Sequence, residues 1–221
     1  MKTILYLGLE APLPKQEETI IHFPVIRIVP RATSSPDIVH ALHSLSSYDC
    51  FIFTSKSGVD LFFALNPDHS LTHKQWIAVG TATAQRLKEK GIQNIAVATH
   101  ETAEGVVALI DSLSLSPSTR FLWPHSAQGR RIIPDALLSR GFFLEECLLY
   151  DTLPHIPFAP PDLTLIDEIH FTSPSTIHGF LLAYGSLPLN KTLHCIGPVT
   201  ATALKNVADI RGEKDTLTKT F

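Results

Sequence analysis

The sequence predicts an α/β fold made of two similar units, each with a parallel sheet and packed helices. Short apolar runs alternate with longer amphipathic stretches, an order typical of parallel strands connected by helices. Some runs, such as residues 49–53, are almost continuously apolar, as expected for strands buried on both faces. Two patterns also occur twice at long spacing, which indicates two copies of one structural unit rather than a solenoid of short repeats.

In the first half of the chain, residues that begin or end helices set the predicted boundaries. Ser35 and Pro36 supply a cap and a first turn for one helix, and Gly91 supplies a left-handed stop for another. Strands are predicted at residues 2–9, 23–29, 49–53, 76–79 and 95–98, and helices at residues 35–45, 57–65, 83–90 and 103–113.

The pattern restarts after a polar Ser/Pro stretch at residues 114–119. Residues 154–161 contain four prolines and are predicted to be an extended connector. The polar residues 212–221 are expected to have little structure. Strands are predicted at residues 120–123, 147–150, 169–171 and 193–196, and helices at residues 130–140, at residues 175–183 and after Pro198.

The duplicated patterns are two short blocks rich in hydroxyl residues. The first block, residues 53–57, reads Phe-Thr-Ser-Lys-Ser and returns at residues 171–175 as Phe-Thr-Ser-Pro-Ser. The second, residues 80–87, begins Gly-Thr-Ala-Thr-Ala and returns at residues 197–204 as Gly-Pro-Val-Thr-Ala. Each block follows a predicted strand and opens a predicted helix, so the free amides and hydroxyls of four helix starts are candidate donors.

Composition excludes several classes of partner. The 221 residues include 18 basic and 21 acidic residues, a formal net charge of -3, with no basic stripe for nucleic acid. The apolar stretch at residues 4–9 is too short for a signal peptide and runs into Glu10. No apolar run could span a bilayer. We therefore expect a soluble, cytoplasmic protein, with Cys50, Cys147 and Cys195 as buried free thiols.

Two interpretations of the repeated blocks remain open. Hydroxyl residues at a helix start cap its free amides, which needs no ligand. The same amides and hydroxyls attract carboxylates or phosphates, and ligands of open α/β sheets gather at the carboxyl ends of strands. The candidate ligand-binding residues in these blocks are Thr54, Ser55, Ser57, Gly80, Thr83, Thr172, Ser173, Ser175, Gly197 and Thr200.

Tyr150 and Arg130 are further candidates. Tyr150 ends a predicted strand where the chain enters the proline-rich connector, so it is either a core-edge aromatic or a proton donor. Arg130 opens a predicted helix and is either solvated or a ligand for carboxylates. The chain contains no Walker loop, dinucleotide fingerprint or Gly-x-Ser-x-Gly elbow. The 11 histidines lack metal-ligand spacing, so we expect neither metal nor cofactor.

Taken together, the motifs resemble uroporphyrinogen-III synthase. The two hydroxyl blocks, the two glycine blocks, the helix containing Arg130 and Leu137 before Arg140-Gly141, and the Leu149-Tyr150-Asp151-Thr152 strand appear in the order of that family. The resemblance implies two three-layer α/β lobes, one formed by residues 1–27 and 155–221 and the other by residues 33–146. It also implies two antiparallel linker strands, residues 28–32 and 147–154, and an active site in the cleft.

The resemblance further implies a reaction and roles. Hydroxymethylbilane would close to uroporphyrinogen III with inversion of ring D through a spiro intermediate, without a cofactor, in a monomeric enzyme. Tyr150 matches the family tyrosine that assists loss of the hydroxyl group, Thr83 and Thr200 match cleft threonines, and Arg130 matches a basic position. The other block residues fall in substrate-lining loops. Segment 11–19 departs from the family, which usually has a longer helix there.

Two alternatives remain open beside the resemblance. A non-catalytic two-lobed sensor could clamp a small polycarboxylate with the same helix starts. A different cofactor-free lyase or isomerase could use the same scaffold.

Overall fold

The computed structural model describes residues 1–66, 69–188 and 190–211, with backbone alone at residues 69, 70 and 211. The expectation of little structure at residues 212–221 lies outside these ranges. The strands are β1 Lys2–Tyr6, β2 Glu18–His22, β3 Ile26–Pro30, β4 Cys50–Phe53, β5 Gln75–Ala78, β6 Ile95–Val97, β7 Arg120–Ser126, β8 Phe143–Pro154, β9 Glu168–Phe171 and β10 Thr192–Cys195.

Seven α-helices follow or precede these strands in the described ranges. They are α1 Pro36–His43, α2 Lys56–Leu65, α3 Thr81–Glu89, α4 Ala103–Ser112, α5 Ile132–Ser139, α6 Pro174–Tyr184 and α7 Pro198–Arg211. None of them combines the length and the apolar character that a membrane span requires.

The chain divides into two compact units. Unit 1 contains residues 1–27 and 152–221, and unit 2 contains residues 28–151. The segments predicted as linkers lie in β3 and β8 and around their ends, and residues 28–32 and 147–151 fall within unit 2. β3 and β8 are neighbours in one sheet, and the amide of Arg31 donates to the carbonyl of Leu149.

Unit 1 contains a four-stranded sheet in the order β10-β9-β1-β2, and every pair in it is parallel. Alternate side chains such as Leu5, Ile169 and Leu193 enter one core, which α6 and α7 share. The residues one position further along form a row of rings on the opposite face, because side chains alternate along a strand. This row is His194, His170, Tyr6 and His22.

Unit 2 contains a six-stranded sheet in the order β3-β8-β7-β4-β5-β6. Phe51 and Phe53 enter a core with side chains of α1, α2 and α3, whereas Cys50 and Ile52 enter a second core with side chains of α4 and α5. Helices therefore cover both faces, and this unit has the predicted three layers. The nearly continuous burial of β4 explains its apolar sequence.

The sequence repeat extends to the sheet order. The run β10-β9-β1-β2 in unit 1 matches β5-β4-β7-β8 in unit 2. In each run, the second strand precedes a Phe-Thr-Ser block and the first precedes a glycine block. The two copies therefore follow equivalent strands in their own sheets.

Several predicted boundaries are wrong, including those around β2, β8 and α5. The predicted strand at residues 23–29 is interrupted, since Pro24 cannot donate to a ladder, and β2 instead pairs with β1 from Glu18 onward. The strand predicted to end at Tyr150 continues to Pro154. The helix predicted to begin at Arg130 begins at Ile132.

Candidate functional site

The first hydroxyl block forms the turn from β4 into α2. Ser55 has an extended backbone and is the N-cap of α2, where its Oγ accepts a hydrogen bond from the Gly58 amide at 2.9 Å. Thr54 precedes it, and Thr54 Oγ1 accepts a bond from Trp123 Nε1 at 3.3 Å. Capping is therefore real at this helix start, as the simpler interpretation predicts.

Tyr150 lies beside this cap. Its hydroxyl oxygen is 2.7 Å from Ser55 Oγ, although the residues are 95 positions apart in sequence. The side chain is 4% exposed and packs into the core shared with α1, α2 and α3. Burial raises the pKa of Tyr150, and the hydrogen bond with Ser55 partly offsets that rise. Tyr150 is thus protonated at neutral pH and can act as a proton donor.

A polar network flanks Tyr150, where the carboxyl end of β7 pairs with β8. Tyr150 is opposite Ser126, and its carbonyl accepts from the Ala127 amide at 2.9 Å. Asp151 accepts two bonds from Arg31, at 2.9 and 3.2 Å, and this pairing lowers the pKa of the Asp151 carboxyl. Arg31 was not predicted as a site residue, because nothing in the pattern of apolar strands separates it from an ordinary solvated arginine.

A buried ring pair supports the Thr54 turn. His125 stacks on Trp123 with ring centroids 3.6 Å apart and an interplanar angle of 3°. Its Nε2 is 3.4 Å from Glu146 Oε2. Burial lowers the pKa of His125 to about 4, so this imidazole is neutral at neutral pH. Its buried position gave no signal in the sequence beyond the Trp-Pro-His-Ser run.

A carboxylate of the chain itself occupies the start of α3. Gly80 is the N-cap, and Glu101 Oε1 accepts from the Thr81 amide at 2.8 Å and from the Thr81 hydroxyl at 3.1 Å. A side chain at Gly80 would collide with this carboxylate. Thr83 is only 5% exposed. The anion-binding interpretation is therefore chemically sound here, but the anion present is Glu101.

Arg130 also has an internal partner. Its guanidinium donates to both oxygens of Glu104, at 2.9 and 3.0 Å, and this pair lowers the pKa of the Glu104 carboxyl. Because α5 begins at Ile132, Arg130 precedes the helix rather than opening it. The pair is exposed enough for a ligand carboxylate to compete with Glu104.

The second hydroxyl block forms the turn from β9 into α6 with different contacts. Thr176, which is fully buried, accepts from the amides of Thr172 and Ser173 at 3.1 and 3.2 Å and donates to the Ser173 carbonyl. Pro174 occupies the first turn, where its missing amide costs nothing. Ser175 is half-buried in the same turn. Thr176, which lies outside the repeated block, thus forms a capping box with Ser173 at this helix start.

The second glycine block is open where the first is crowded. Gly197 has φ 86°, a left-handed conformation that favours glycine, and an added side chain would meet no atom within 4 Å. The following helix, α7, carries Thr200, which is 3% exposed. The surface around Gly197 can therefore be approached closely by a ligand.

Some predicted site residues are in direct contact, and others lie at equivalent helix starts of the two units. Ser55 and Tyr150 are in direct contact, and Thr54, Ser57, Gly80 and Thr83 lie in the helix starts after β4 and β5. The unit 1 candidates lie in the corresponding starts after β9 and β10. Within the described ranges, no group of three or more His, Cys, Asp or Glu side chains is placed to hold a metal ion. All three cysteines are buried free thiols.

Comparisons with known proteins agree on one family. The family model of uroporphyrinogen-III synthase HemD matches residues 9–209. The porphyrin biosynthesis protein HemD of Ruminiclostridium josui is 28% identical over 215 residues, and the match covers 89% of this chain but 41% of that protein. Uroporphyrinogen-III synthase of Chlorobaculum parvum is 27% identical over 235 residues, with 94% and 90% of the two chains covered.

A solved structure has the same fold. The crystal structure of a mutant uroporphyrinogen III synthase from the extremely thermophilic bacterium Thermus thermophilus matches with a TM-score of 0.62 and 20% identity, over 94% of this chain and 90% of that one. This match confirms the predicted α/β fold class. Because the family model covers all but the ends of the sequence, the chain belongs to the uroporphyrinogen-III synthase family.

Proposed function

We propose that this chain is a uroporphyrinogen-III synthase, a cyclising lyase of tetrapyrrole biosynthesis. It would convert hydroxymethylbilane into uroporphyrinogen III with inversion of ring D. The observation that carries the proposal is the family match over residues 9–209 together with a buried, protonated tyrosine at the predicted position. Curated relatives of the same family support it, and nothing in the comparisons favours the sensor.

Tyr150 is the proposed acid. Its proton would pass to the departing hydroxyl group of the substrate, which leaves as water and generates an azafulvene on the terminal ring. Attack on the azafulvene methylene by the substituted carbon of ring D, at the other end of the chain, gives the spiro intermediate, which then fragments and closes in the inverted order. A buried tyrosine with a raised pKa suits this role, because it keeps its proton at neutral pH until the substrate requires it.

The helix starts are the proposed carboxylate sites. The substrate has eight carboxylates, which need hydrogen-bond donors more than acid–base groups. In unit 2 the donors are Thr54, Ser57 and the amides around Gly80 and Thr83, together with Arg130. In unit 1 they are Thr172, Ser173, Ser175, Gly197 and Thr200. Holding a flexible chain by its carboxylates favours one closure over another by orientation.

The remaining parts of the proposal concern organisation and location. The two units would be the two lobes of the family, with residues 28–32 and 147–154 as the connecting strands. The enzyme would act as a cytoplasmic monomer without a cofactor. The mixed charge and the absence of a basic stripe support a small-molecule substrate rather than nucleic acid.

The test is incubation of the full chain with freshly prepared hydroxymethylbilane and separation of the oxidised product isomers. We expect the type III isomer, whereas heat-inactivated protein should give only the symmetric type I isomer of spontaneous closure. Only type I product from the native chain would refute the synthase proposal. Saturable binding of hydroxymethylbilane without type III product would support the sensor instead.

A further inference from the structure

Ser55 is a predicted substrate-lining residue, yet its hydroxyl already has two partners inside unit 2. Its Oγ accepts from the Gly58 amide at 2.9 Å and lies 2.7 Å from the Tyr150 hydroxyl oxygen. A hydroxyl group has one hydrogen and two lone pairs. When Ser55 donates to Tyr150, its only hydrogen is used, so a substrate carboxylate could bind this hydroxyl only by displacing Tyr150.

We infer that Ser55 is a positioning residue for Tyr150, which fixes the phenol and connects its oxygen to the N-terminus of α2. This inference rests on the proposed function, in which Tyr150 supplies the proton. It gives Ser55 a role different from the carboxylate site that the sequence predicts.

Either hydroxyl of the Ser55–Tyr150 pair can be the donor, and the capping bond leaves the Ser55 hydrogen free for this use. Because the Gly58 amide occupies one lone pair, the Ser55 hydrogen is available to the Tyr150 oxygen. With Ser55 as donor, the Tyr150 hydrogen stays free for the substrate. The donors then form a series that runs from the Gly58 amide through Ser55 to Tyr150 and ends at the departing hydroxyl group.

This series stabilises the charge that proton transfer creates. The substrate C–O bond breaks with its electron pair on oxygen, the Tyr150 proton joins that oxygen, and water leaves. The substrate becomes a protonated azafulvene, and Tyr150 becomes a tyrosinate that retains the electron pair of its O–H bond. The ring-closed product releases one proton as its pyrroles are restored, and that proton returns to the tyrosinate.

The environment makes the Ser55 bond important. Tyr150 is buried, and a buried anion without a donor is strongly disfavoured. The N-terminus of α2, a helix of 10 residues, carries partial positive charge that polarises the Ser55 hydroxyl. Consistent with this, burial raises the pKa of Tyr150 and the Ser55 bond lowers it.

Thr102 provides a matched control. It is the N-cap of α4 in the same unit, and its Oγ1 accepts from the Gly105 amide at 3.1 Å, as Ser55 does from Gly58. Thr102→Ala therefore removes a cap bond of the same kind at a helix start that does not contact Tyr150. Its kcat should stay within about twofold of the native value.

The kinetic test compares this control with changes at Ser55. Ser55→Ala should lower kcat by about 10- to 100-fold with little change in KM, the range expected for a hydrogen bond to a charged group. Ser55→Gly should do the same with less loss of helix stability, because glycine is tolerated at an N-cap. Ser55→Thr, which keeps a hydroxyl, should recover most of the activity.

A double variant and a spectroscopic measurement complete the test. If Ser55 acts through Tyr150, Ser55→Gly should have no further effect on kcat in a Tyr150→Phe background. Among the four tyrosines, the Tyr150 ring carbon can be assigned in labelled protein by its loss in Tyr150→Phe. Its titration should move to higher pH in Ser55→Gly and stay unchanged in Thr102→Ala.

The outcomes separate this inference from the proposed function. Equal kcat losses in Ser55→Gly and Thr102→Ala, or an unchanged Tyr150 titration, would overturn the positioning role. Absence of type III product from the native chain would instead refute the synthase activity, while the titration would still report whether Ser55 and Tyr150 are coupled. Should Ser55→Ala not fold, Ser55→Gly and Ser55→Thr still decide the question.

Discussion

The two copies of the Phe-Thr-Ser block have the same place in their sheets but different contacts. In unit 2, Ser55 caps α2 and reaches Tyr150. In unit 1, the hydroxyl of Thr176 takes the amides of Thr172 and Ser173. The glycine blocks diverge in the same manner, since Glu101 crowds Gly80 while Gly197 is open. A duplicated scaffold has thus kept its helix starts, and the proposed acid, Tyr150, contacts the first copy.

The largest expected effect tests this division directly. Tyr150→Phe should lower kcat by about 100-fold, because a general acid contributes at least that much, while KM and the melting temperature change little. Steady-state formation of the type III isomer measures kcat. A native rate in this variant would remove the functional difference between the copies.

The stacked pair of Trp123 and His125, next to the first Phe-Thr-Ser block, should make the stability of the protein depend on pH. The pKa of His125 is about 4 in the folded protein, below its ordinary value of 6.5, so between these values the unfolded state binds more protons. The free energy of unfolding should therefore rise with pH across this window, by up to roughly 3 kcal/mol in total.

His125→Gln, which cannot acquire charge in this range, isolates that contribution. Denaturant titrations of native and variant protein at pH values from about 4 to 7 should give curves that differ in slope only inside the window. Parallel curves would show that His125 does not set the pH dependence.

A substitution at the second copy should lower the free energy of unfolding and leave kcat nearly unchanged. Thr176→Val keeps the shape of the side chain but leaves the Thr172 and Ser173 amides without their acceptor, so we expect a loss of about 2 kcal/mol. Thr102→Ala, which loses one cap bond, should cost about 1 kcal/mol. Denaturant unfolding measures both. A large fall in kcat for Thr176→Val at full folding would contradict the assignment of a structural role.

The smallest effect concerns Glu101, whose carboxylate accepts from the Thr81 amide at the start of α3. Glu101→Gln removes the charge from the Thr81 amide and should lower stability by about 0.5 kcal/mol, with less effect at high salt. If a substrate carboxylate uses the same amide, KM should fall by about twofold, since the competitor is neutral. An unchanged KM would indicate that the substrate does not bind at this helix start.

Local patterns predicted the fold better than they predicted the site. The strand β4 and the helix end at Gly91 were predicted correctly, because a buried strand and a left-handed helix stop are both determined by residues close together in sequence. β2 was missed because its pairing with β1 is a tertiary contact that Pro24 obscures. Arg130 was misplaced since helix starts are poorly marked when arginines precede them.

The contact between Ser55 and Tyr150 could not be predicted without a tertiary structure. It joins the end of β4 to the middle of β8, on strands that are not neighbours in the sheet order. The internal partners of Arg130 and Thr81 were hidden for the same reason, because Glu104 and Glu101 are distant from them in sequence. Sequence similarity supplied the candidate residues, and the fold determines what each one touches.

The position of Tyr150 within a 12-residue strand constrains the timing of the reaction. A side chain carried by a strand inside a six-stranded sheet has little freedom to follow a moving partner. The proposed proton source is therefore stationary, and the terminal ring would have to reach it before the leaving group could depart. Such an enzyme would form the reactive cation only from substrate molecules that already have the conformation needed for inverted closure.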